Sequence, residues 1–414
     1  MRDSLTNEKT AITSGFLPKH FYFADSREKF SQYGNAAHAL KGRKSILYVG
    51  GFILPDGNAA AQRVVANAKL FSEIGYNVIF LNYSKAATKP RMRCYFGFEC
   101  FECPWPEWNI ASRIDVDRIE EIIFNRRDIA CIVAYNYPAI SLSRLINLCH
   151  QQGIACIGDV TEWYRARDVS LLKIPVKYID TAFRMRILHQ KMDGLIVISD
   201  YLKQFYCKHT KVLLLPPLID SVDEKWSVTI GRSSDEATKL VYAGKPSKTK
   251  ERLDLIVDAV NSLSPEFAAQ LDIVGVTHEE FRKIYHRSAK SRRIVFHGRV
   301  SHKEALEFVK RADYSVILRD DNLVTRAGFP TKFAESISCG TPVICNDNSD
   351  LKRWVEKFGC GFVVDEKRLA QGIAQSIEAE IPCFDRTIFD YRKYYKAAEN
   401  FLSAVIVDWG RHVK

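Results

Sequence analysis

Short apolar runs, many of them stopping on glycine or a polar residue, alternate along the chain with longer stretches of helical periodicity. The first run, Ser45–Phe52, ends around Gly50 and Gly51. Val64, Ala68, Phe71 and Ile74 then recur at helical spacing behind Pro55–Asn58, Gly75 closes that stretch, and Asn77–Leu81 is apolar again. A continuous apolar run bounded by glycine reads as a strand buried on both faces. Strand, helix and strand in this order predict a βαβ unit. Further runs end at Tyr135, Asp159, Ser199 and Pro216, so the first half predicts a doubly wound parallel sheet. Residues 220–237 are polar, with Ser233, Ser234, Asp235 and Glu236 among them, and read as a linker.

The series then restarts. Leu240–Gly244, Leu271–Gly275, Arg293–Gly298, Tyr314–Leu318, Pro342–Cys345 and Gly361–Asp365 predict strands, and Arg252–Leu263 and Lys303–Arg311 predict helices between them. The expected fold class is α/β, with two Rossmann-like parallel-sheet domains over residues 1–218 and 238–385. A chain of 414 residues is too long for one ordinary core, which agrees. The tail from Phe384 carries Tyr391, Tyr394, Tyr395, Ala398, Phe401, Leu402 and Val405 at helical spacing. Residues 1–44 show little periodicity and read as an irregular arm with room for one helix.

In doubly wound sheets, ligands meet the carboxyl ends of the strands. The segment Asp320–Cys345 is therefore the richest in chemistry. It reads as strand end, glycine loop, short helix, tight stop and strand. Pro330 suits a helix start, Gly340 suits the left-handed residue that ends a helix, and Pro342 prevents continuation. The helix start near Gly328, Phe329, Thr331 and Lys332 would present free N–H groups and a positive dipole end, a natural seat for phosphate. Glu335 lies farther along than a capping-box glutamate would. It reads either as a solvated helix residue or as an acceptor for two neighbouring hydroxyls, such as a ribose offers.

Other strand ends offer further candidates. Lys245 and Lys250, in Gly244–Lys250, suit a diphosphate or are plain surface lysines. Asp159 and Glu162 are each as readily a helix-start residue as a site carboxylate. Gly50 and Gly51 do not make a dinucleotide fingerprint; a tight turn is the local preference over close approach to a ligand. Arg184, Arg186, His189 and Lys191 form a basic helical run that reads first as a solvated face.

Composition narrows the class. The chain is 47% hydrophobic and 26% charged, with net charge +11. No apolar run approaches the roughly 18 residues of a spanning helix, and the opening residues lack the apolar core of a signal peptide. The 11 cysteines are scattered and odd in number, as for buried thiols in a reducing cytoplasm. The positive charge suits diphosphates, an anionic membrane surface or nucleic acid, but no nucleic-acid motif is present. The basic and aromatic stretch Lys85–Trp108 reads as irregular, either an amphipathic membrane-facing surface or a hydrophobic cluster under a loop. Cys100 and Cys103 make a lone C-x-x-C with Cys94 nearby, without the second pair that zinc requires. Asp115-Val116-Asp117 reads as a helix start, not a metal motif.

Gly328-Phe-Pro-Thr-Lys-Phe-Ala-Glu335-Ser-Ile-Ser-Cys-Gly-Thr-Pro-Val-Ile344 resembles the donor-binding segment of GT-B glycosyltransferases of the large retaining class, family 4. The resemblance covers about residues 45–410 and is strongest in the second domain. It implies that the helix start at Gly328–Thr331 holds the diphosphate of a nucleotide sugar, a UDP- or GDP-sugar, and that Glu335 holds the ribose. It implies Lys245 and Lys250 at the departing diphosphate, with Lys245 lacking the fork of the arginine usual there. It places Gly244, Gly275, Val276, His297, Gly298 and Arg299 around the nucleotide, and Gly50 and Gly51 beside donor and acceptor. Asn58, Gln62 and Arg63 would face the acceptor, and Asp159 or Glu162 the reacting sugar carbon. Many relatives carry a second glutamate where Ala327 stands, a departure at the donor sugar.

The resemblance also implies a last helix, about 388–414, that crosses back onto the first domain. The expected acceptor is a saccharide of a bacterial surface polysaccharide, including one carried on a polyprenyl diphosphate. The expected place is the cytoplasm, including the inner face of the cell membrane. No metal, no other cofactor and no nucleic acid are expected. The alternatives are a GT-B nucleotide-sugar epimerase and a non-catalytic nucleotide binder.

Overall fold

The computed structural model describes residues 44–105, 116–163, 174–227, 237–247, 249–289 and 291–412, with the side chains of Ile174 and 407–412 left aside. The amino-terminal arm, Trp108, Asp115 and the linker residues 233–236 lie outside the described residues.

The first lobe is built on an eight-stranded sheet in the order β3-β4-β2-β1-β5-β6-β7-β8. Its strands are β1 (Ser45–Gly50), β2 (Asn77–Ser84), β3 (Arg91–Tyr95), β4 (Phe98–Pro104), β5 (Ile129–Tyr135), β6 (Ala155–Val160), β7 (Gly194–Val197) and β8 (Lys211–Leu214). All pair in parallel except β3, which runs antiparallel to β4. Helix α1 (Ala59–Ile74) begins where the Asn58 side chain accepts from the Ala61 N–H and ends at left-handed Gly75. It is followed by α2 (Asp117–Asn125), α3 (Ala139–Gln152), α4 (Ile174–Phe183) and α5 (Asp200–Tyr206).

The second sheet has six parallel strands in the order β11-β10-β9-β12-β13-β14. They are β9 (Thr238–Ala243), β10 (Ala269–Val274), β11 (Ile294–Gly298), β12 (Tyr314–Ile317), β13 (Val343–Cys345) and β14 (Gly361–Val363). Around them lie α6 (Leu253–Asn261), α7 (His278–Tyr285), α8 (His302–Arg311), α9 (Leu323–Ala327), α10 (Thr331–Ser338), α11 (Leu351–Phe358) and α12 (Leu369–Glu378). The strand order reverses between β9 and β12, the switch point at which such sheets open a crevice.

Helix α13 (Tyr395–His412) packs against α1 and β8 of the first lobe. Ala398, Leu402 and Val405 are buried there with Ile46, Val64 and Ile196. Gly194 leaves the room: a Cβ on it would come within 2.7 Å of the Phe401 ring. Burying a side chain of this size stabilises by about 1.5–3 kcal/mol.

Three local readings are corrected. The stretch from Lys85 is not irregular, because Arg91–Tyr95 and Phe98–Pro104 pair as an antiparallel edge hairpin. Its basic positions Arg91 and Arg93 meet Glu102 across the strands, a partner that an irregular reading hides. On a strand, residues three apart point to opposite faces. Cys100 and Cys103 accordingly enter different cores and cannot close on one ion. The run 184–191 is a solvated face only in part: Arg186 and Lys191 are exposed, but Arg184 and His189 are buried and the His189 ring meets the Tyr206 hydroxyl at 3.0 Å. Burial there drives the His189 pKa well down. Finally, the loop before α10 contains α9, which a reciprocal Asn322–Thr325 capping box starts.

Candidate functional site

A cleft of about 430 Å³ takes its walls from both lobes. Tyr135, Thr161, Glu162 and Ile198 supply strand-end residues of the first sheet, and Lys250 and Arg319 those of the second. Asn58, Gln62 and Arg63 on and before α1 line it from one side, and Phe329, Pro330, Thr331, Lys332 and Glu335 from the other.

On the second-lobe wall, α10 opens at Thr331 after an extended Pro330, with no side chain capping its amino end. Its leading N–H groups and positive dipole end are therefore available to an anion. Gly328, with φ −93°, is extended; a Cβ on it would lie 3.2 Å from the Val324 carbonyl and 3.7 Å from that of Thr161. The Lys332 ammonium lies 3.0 Å from the Tyr242 hydroxyl and 3.3 Å from Glu251. Its end passes 3.3 Å from the position a Cβ on Gly244 would take. Lys250 spans the cleft and donates to Glu162 of the first lobe at 2.9 Å. Lys250 and Glu335 thus line one shared space.

A second link closes the opposite side. His302, the first residue of α8, sits 3.0 Å from Glu335 and 3.6 Å from Asp56 of the first lobe, and the Gln62 amide lies 3.4 Å from its Nε2. Hydrogen bonding to Asp56 and then to Glu335 raises the His302 pKa to about 9. Burial alone would raise the Asp56 pKa, but hydrogen bonding to His302 and the charge of Lys225 outweigh it and hold that carboxyl at about 2. Imidazolium and carboxylates therefore form a charged clasp at neutral pH.

The first-lobe wall is closed in on itself. Asp159 is fully buried, its carboxylate held by the Arg63 guanidinium at 2.8 and 3.0 Å and by the Tyr48 hydroxyl. Arg63 also donates to the Leu215 carbonyl at 2.9 Å. Burial and then the charge of Asp159 keep the Tyr48 phenol protonated, with its pKa well up. Of the two carboxylates at the end of β6 and just beyond it, Asp159 thus has its lone pairs engaged, and Glu162 is the one that faces the cleft.

Several expected site residues are not brought to the cleft lining. Lys245 is exposed and does not line the cleft, while Lys332 supplies an ammonium beside Gly244. Gly50 and Gly51 receive the protein's own rings: a Cβ would come within 2.6 Å of Phe52 on the first and of Trp105 on the second. His297 meets Asp272 at 2.7 Å, Arg299 meets Glu280 at 2.7 Å, and Val276 is buried. Gly275 and Gly298 have positive φ, and Gly275 donates to the Gly298 carbonyl at 2.7 Å. A Cβ on Gly275 would sit 2.7 Å from the Gly244 backbone, so these glycines let adjacent strand ends close up.

Asp56, His302, Arg319, Glu251 and Lys225 were not picked out from the sequence. Arg319 had a usable signal, its place just beyond the carboxyl end of β12 beside the switch point. His302 and Asp56 had none, because they meet only when the lobes do.

Two Rossmann-like lobes opening their strand ends into one cleft define the GT-B fold. Residues 237–379 match the family model for glycosyl transferases group 1. The chain is similar to sucrose-phosphate synthase from Thermosynechococcus elongatus, with 14% identity, 90% of this chain and 98% of that one covered, and a TM-score of 0.59. WaaG, a glycosyltransferase involved in lipopolysaccharide biosynthesis, matches at 13% identity over 88% of this chain and 98% of its own, with a TM-score of 0.56. Anabaena Alr3699/HepE, solved with UDP and glucose, matches at 12% identity over 90% and 98%, with a TM-score of 0.52. These likenesses establish the fold. No curated protein matches the chain in sequence.

Proposed function

We propose that the protein is a glycosyltransferase that moves a sugar from a nucleotide diphosphate sugar to a saccharide acceptor with retention of configuration. The observation that carries this reading is the convergence of the uncapped start of α10, Lys250, Lys332 and Glu335 on one cleft. The family match over residues 237–379 covers the elements that supply all four.

In this reading the diphosphate lies over Thr331, with Lys250 and Lys332 beside it. Both ammoniums attract the leaving group more strongly as it gains charge, which lowers the barrier. Glu335 accepts from the ribose hydroxyls, exchanging its His302 contact for them. Glu162 sits on the acceptor side, where a carboxylate supports positive charge at the reacting carbon or positions the incoming hydroxyl. Asn58, Gln62 and Arg63 form the acceptor wall, with Arg63 fixed by Asp159.

Fixed cations take the place of a metal here, so activity should resist chelators. Among the described residues, no group of three His, Cys, Asp or Glu is placed to hold a metal ion. Surface-polysaccharide synthesis at the inner face of the membrane is the setting proposed. It is supported by the net charge of +11, by the likeness to WaaG, and by Phe96, which is 56% exposed at the tip of the β3–β4 hairpin beside Lys69. Among the described residues, no helix is long and apolar enough to cross a membrane.

Calorimetric titration with UDP, GDP and their sugars, followed by product analysis with a saccharide acceptor, tests the proposal. Binding of one nucleoside diphosphate and acceptor-dependent release of it are expected. Conversion of the nucleotide sugar without acceptor would replace transfer with epimerisation, and binding of none of them would remove the reading.

A further inference from the structure

Arg319 is only 5% exposed, yet it lines the cleft. Its Nη1 donates to the carbonyls of Thr325 at 3.0 Å and Gly328 at 3.4 Å. Its Nε is buried without any partner. Among the described residues, no carboxylate comes within ion-pair distance of this guanidinium, and Nη2 makes no hydrogen bond. Two other cleft cations, those of the proposed diphosphate seat, differ: Lys250 has Glu162 at 2.9 Å and Lys332 has Glu251 at 3.3 Å. A buried charge with no carboxylate in direct contact is costly, and burial lowers the Arg319 pKa to about 10 against the more distant charges of Glu251 and Glu162, which raise it. The fold keeps here a charge that awaits an anion.

Position indicates which anion. Nη2 lies 3.8 Å from the point where a Cβ on Gly328 would stand, and the Thr161 carbonyl of the first lobe lies 3.7 Å from that same point. The guanidinium is therefore at the seam between lobes, next to Thr161 and Glu162, where the transferred sugar must lie to reach an acceptor. The diphosphate cradle at Thr331 already has two ammoniums. A guanidinium whose Nη2 is uncommitted suits a carboxylate better than a hydroxyl, because a hydrogen bond between charged groups is the stronger one.

We propose that Arg319 is a specificity-determining residue that recognises a carboxylate on the donor sugar, so that the donor is a nucleotide-linked uronic acid. This rests on the glycosyltransferase reading above. A hydrogen bond to a charged group contributes about 1.5–3 kcal/mol, so the acidic sugar should bind about tenfold tighter or more than its neutral counterpart.

Calorimetry on the full chain tests this with UDP, UDP-glucose and UDP-glucuronate, alongside GDP, GDP-mannose and GDP-mannuronate. The wild-type protein should prefer the uronate of the base it accepts, and Arg319→Met should abolish that preference while leaving affinity for the free nucleoside diphosphate within about twofold. Arg319→Lys should retain part of the preference. Equal affinity of the wild type for hexose and hexuronate overturns the proposal, even if no variant folds. An equal loss of free diphosphate and uronate affinity in Arg319→Met also overturns it, by assigning Arg319 to the phosphates. If no nucleotide binds at all, the glycosyltransferase reading itself falls.

Discussion

The two lobes share an architecture but treat their strand ends in opposite ways. In the first lobe, Phe52 and Trp105 occupy the space beside Gly50 and Gly51, and Arg63 neutralises Asp159. In the second, Gly244 leaves room for the Lys332 ammonium, α10 opens without a cap, and Arg319 touches backbone carbonyls but no carboxylate among the described residues. Polar groups at a strand end can be spent on holding the fold or kept for a ligand. The first lobe mostly does the former and the second mostly the latter. A change at a first-lobe strand end should therefore cost stability, and one in the second lobe should cost binding or rate.

Asp159→Ala should have the largest effect. It strands the Arg63 guanidinium in a buried site and should destabilise by about 3–5 kcal/mol, the usual result of removing one partner of a buried ion pair. Denaturant unfolding measures this, and a loss below about 1 kcal/mol would erase the contrast between lobes. Lys250→Met comes next, expected to lower kcat by about 10²–10³-fold, as for loss of a group that stabilises developing negative charge. Its stability should barely move, because the Lys250–Glu162 pair is partly exposed and such pairs contribute about 0–1 kcal/mol. Steady-state kinetics with a melting curve separates the two.

Glu335→Gln should weaken nucleoside diphosphate binding by about tenfold, the value of a hydrogen bond to a charged acceptor. The corresponding 2′,3′-dideoxynucleotide should bind both proteins alike; if it still prefers the wild type, Glu335 does not read the ribose. The smallest effect is the pH response of the clasp. The folded pKa of His302 is raised to about 9 from an ordinary 6.5. Its stabilising contribution is therefore fully present below pH 6.5 and disappears as pH rises through 9. The melting temperature of the wild type should fall across that window relative to His302→Gln, whose curve should be flatter. Parallel curves would show that the clasp does not hold the lobes.

Much of the fold was legible because local rules and tertiary outcome agree. Parallel strands buried on both faces must be apolar throughout, so the runs ending at Gly51, Tyr135, Gly244 and Gly275 announced them. Gly75 and Gly340 marked helix ends by conformations that side chains disfavour. The β3–β4 hairpin was missed because an edge strand facing solvent carries charge, and its pattern resembles a loop. Helix α9 was missed because a single capped turn has too little periodicity to announce itself.

Sequence alone determined the class of fold and the segment around Glu335, because spacing along one helix and loop fixes how Thr331, Lys332 and Glu335 sit together. Tertiary structure decided which charges are free. It joined Asp159 to Arg63, Lys250 to Glu162 and His302 to Asp56, pairs far apart in the chain. Whether a charged side chain holds the fold or meets a ligand depends on what lies within a few ångströms of it, and those neighbours are chosen by packing, not by sequence proximity.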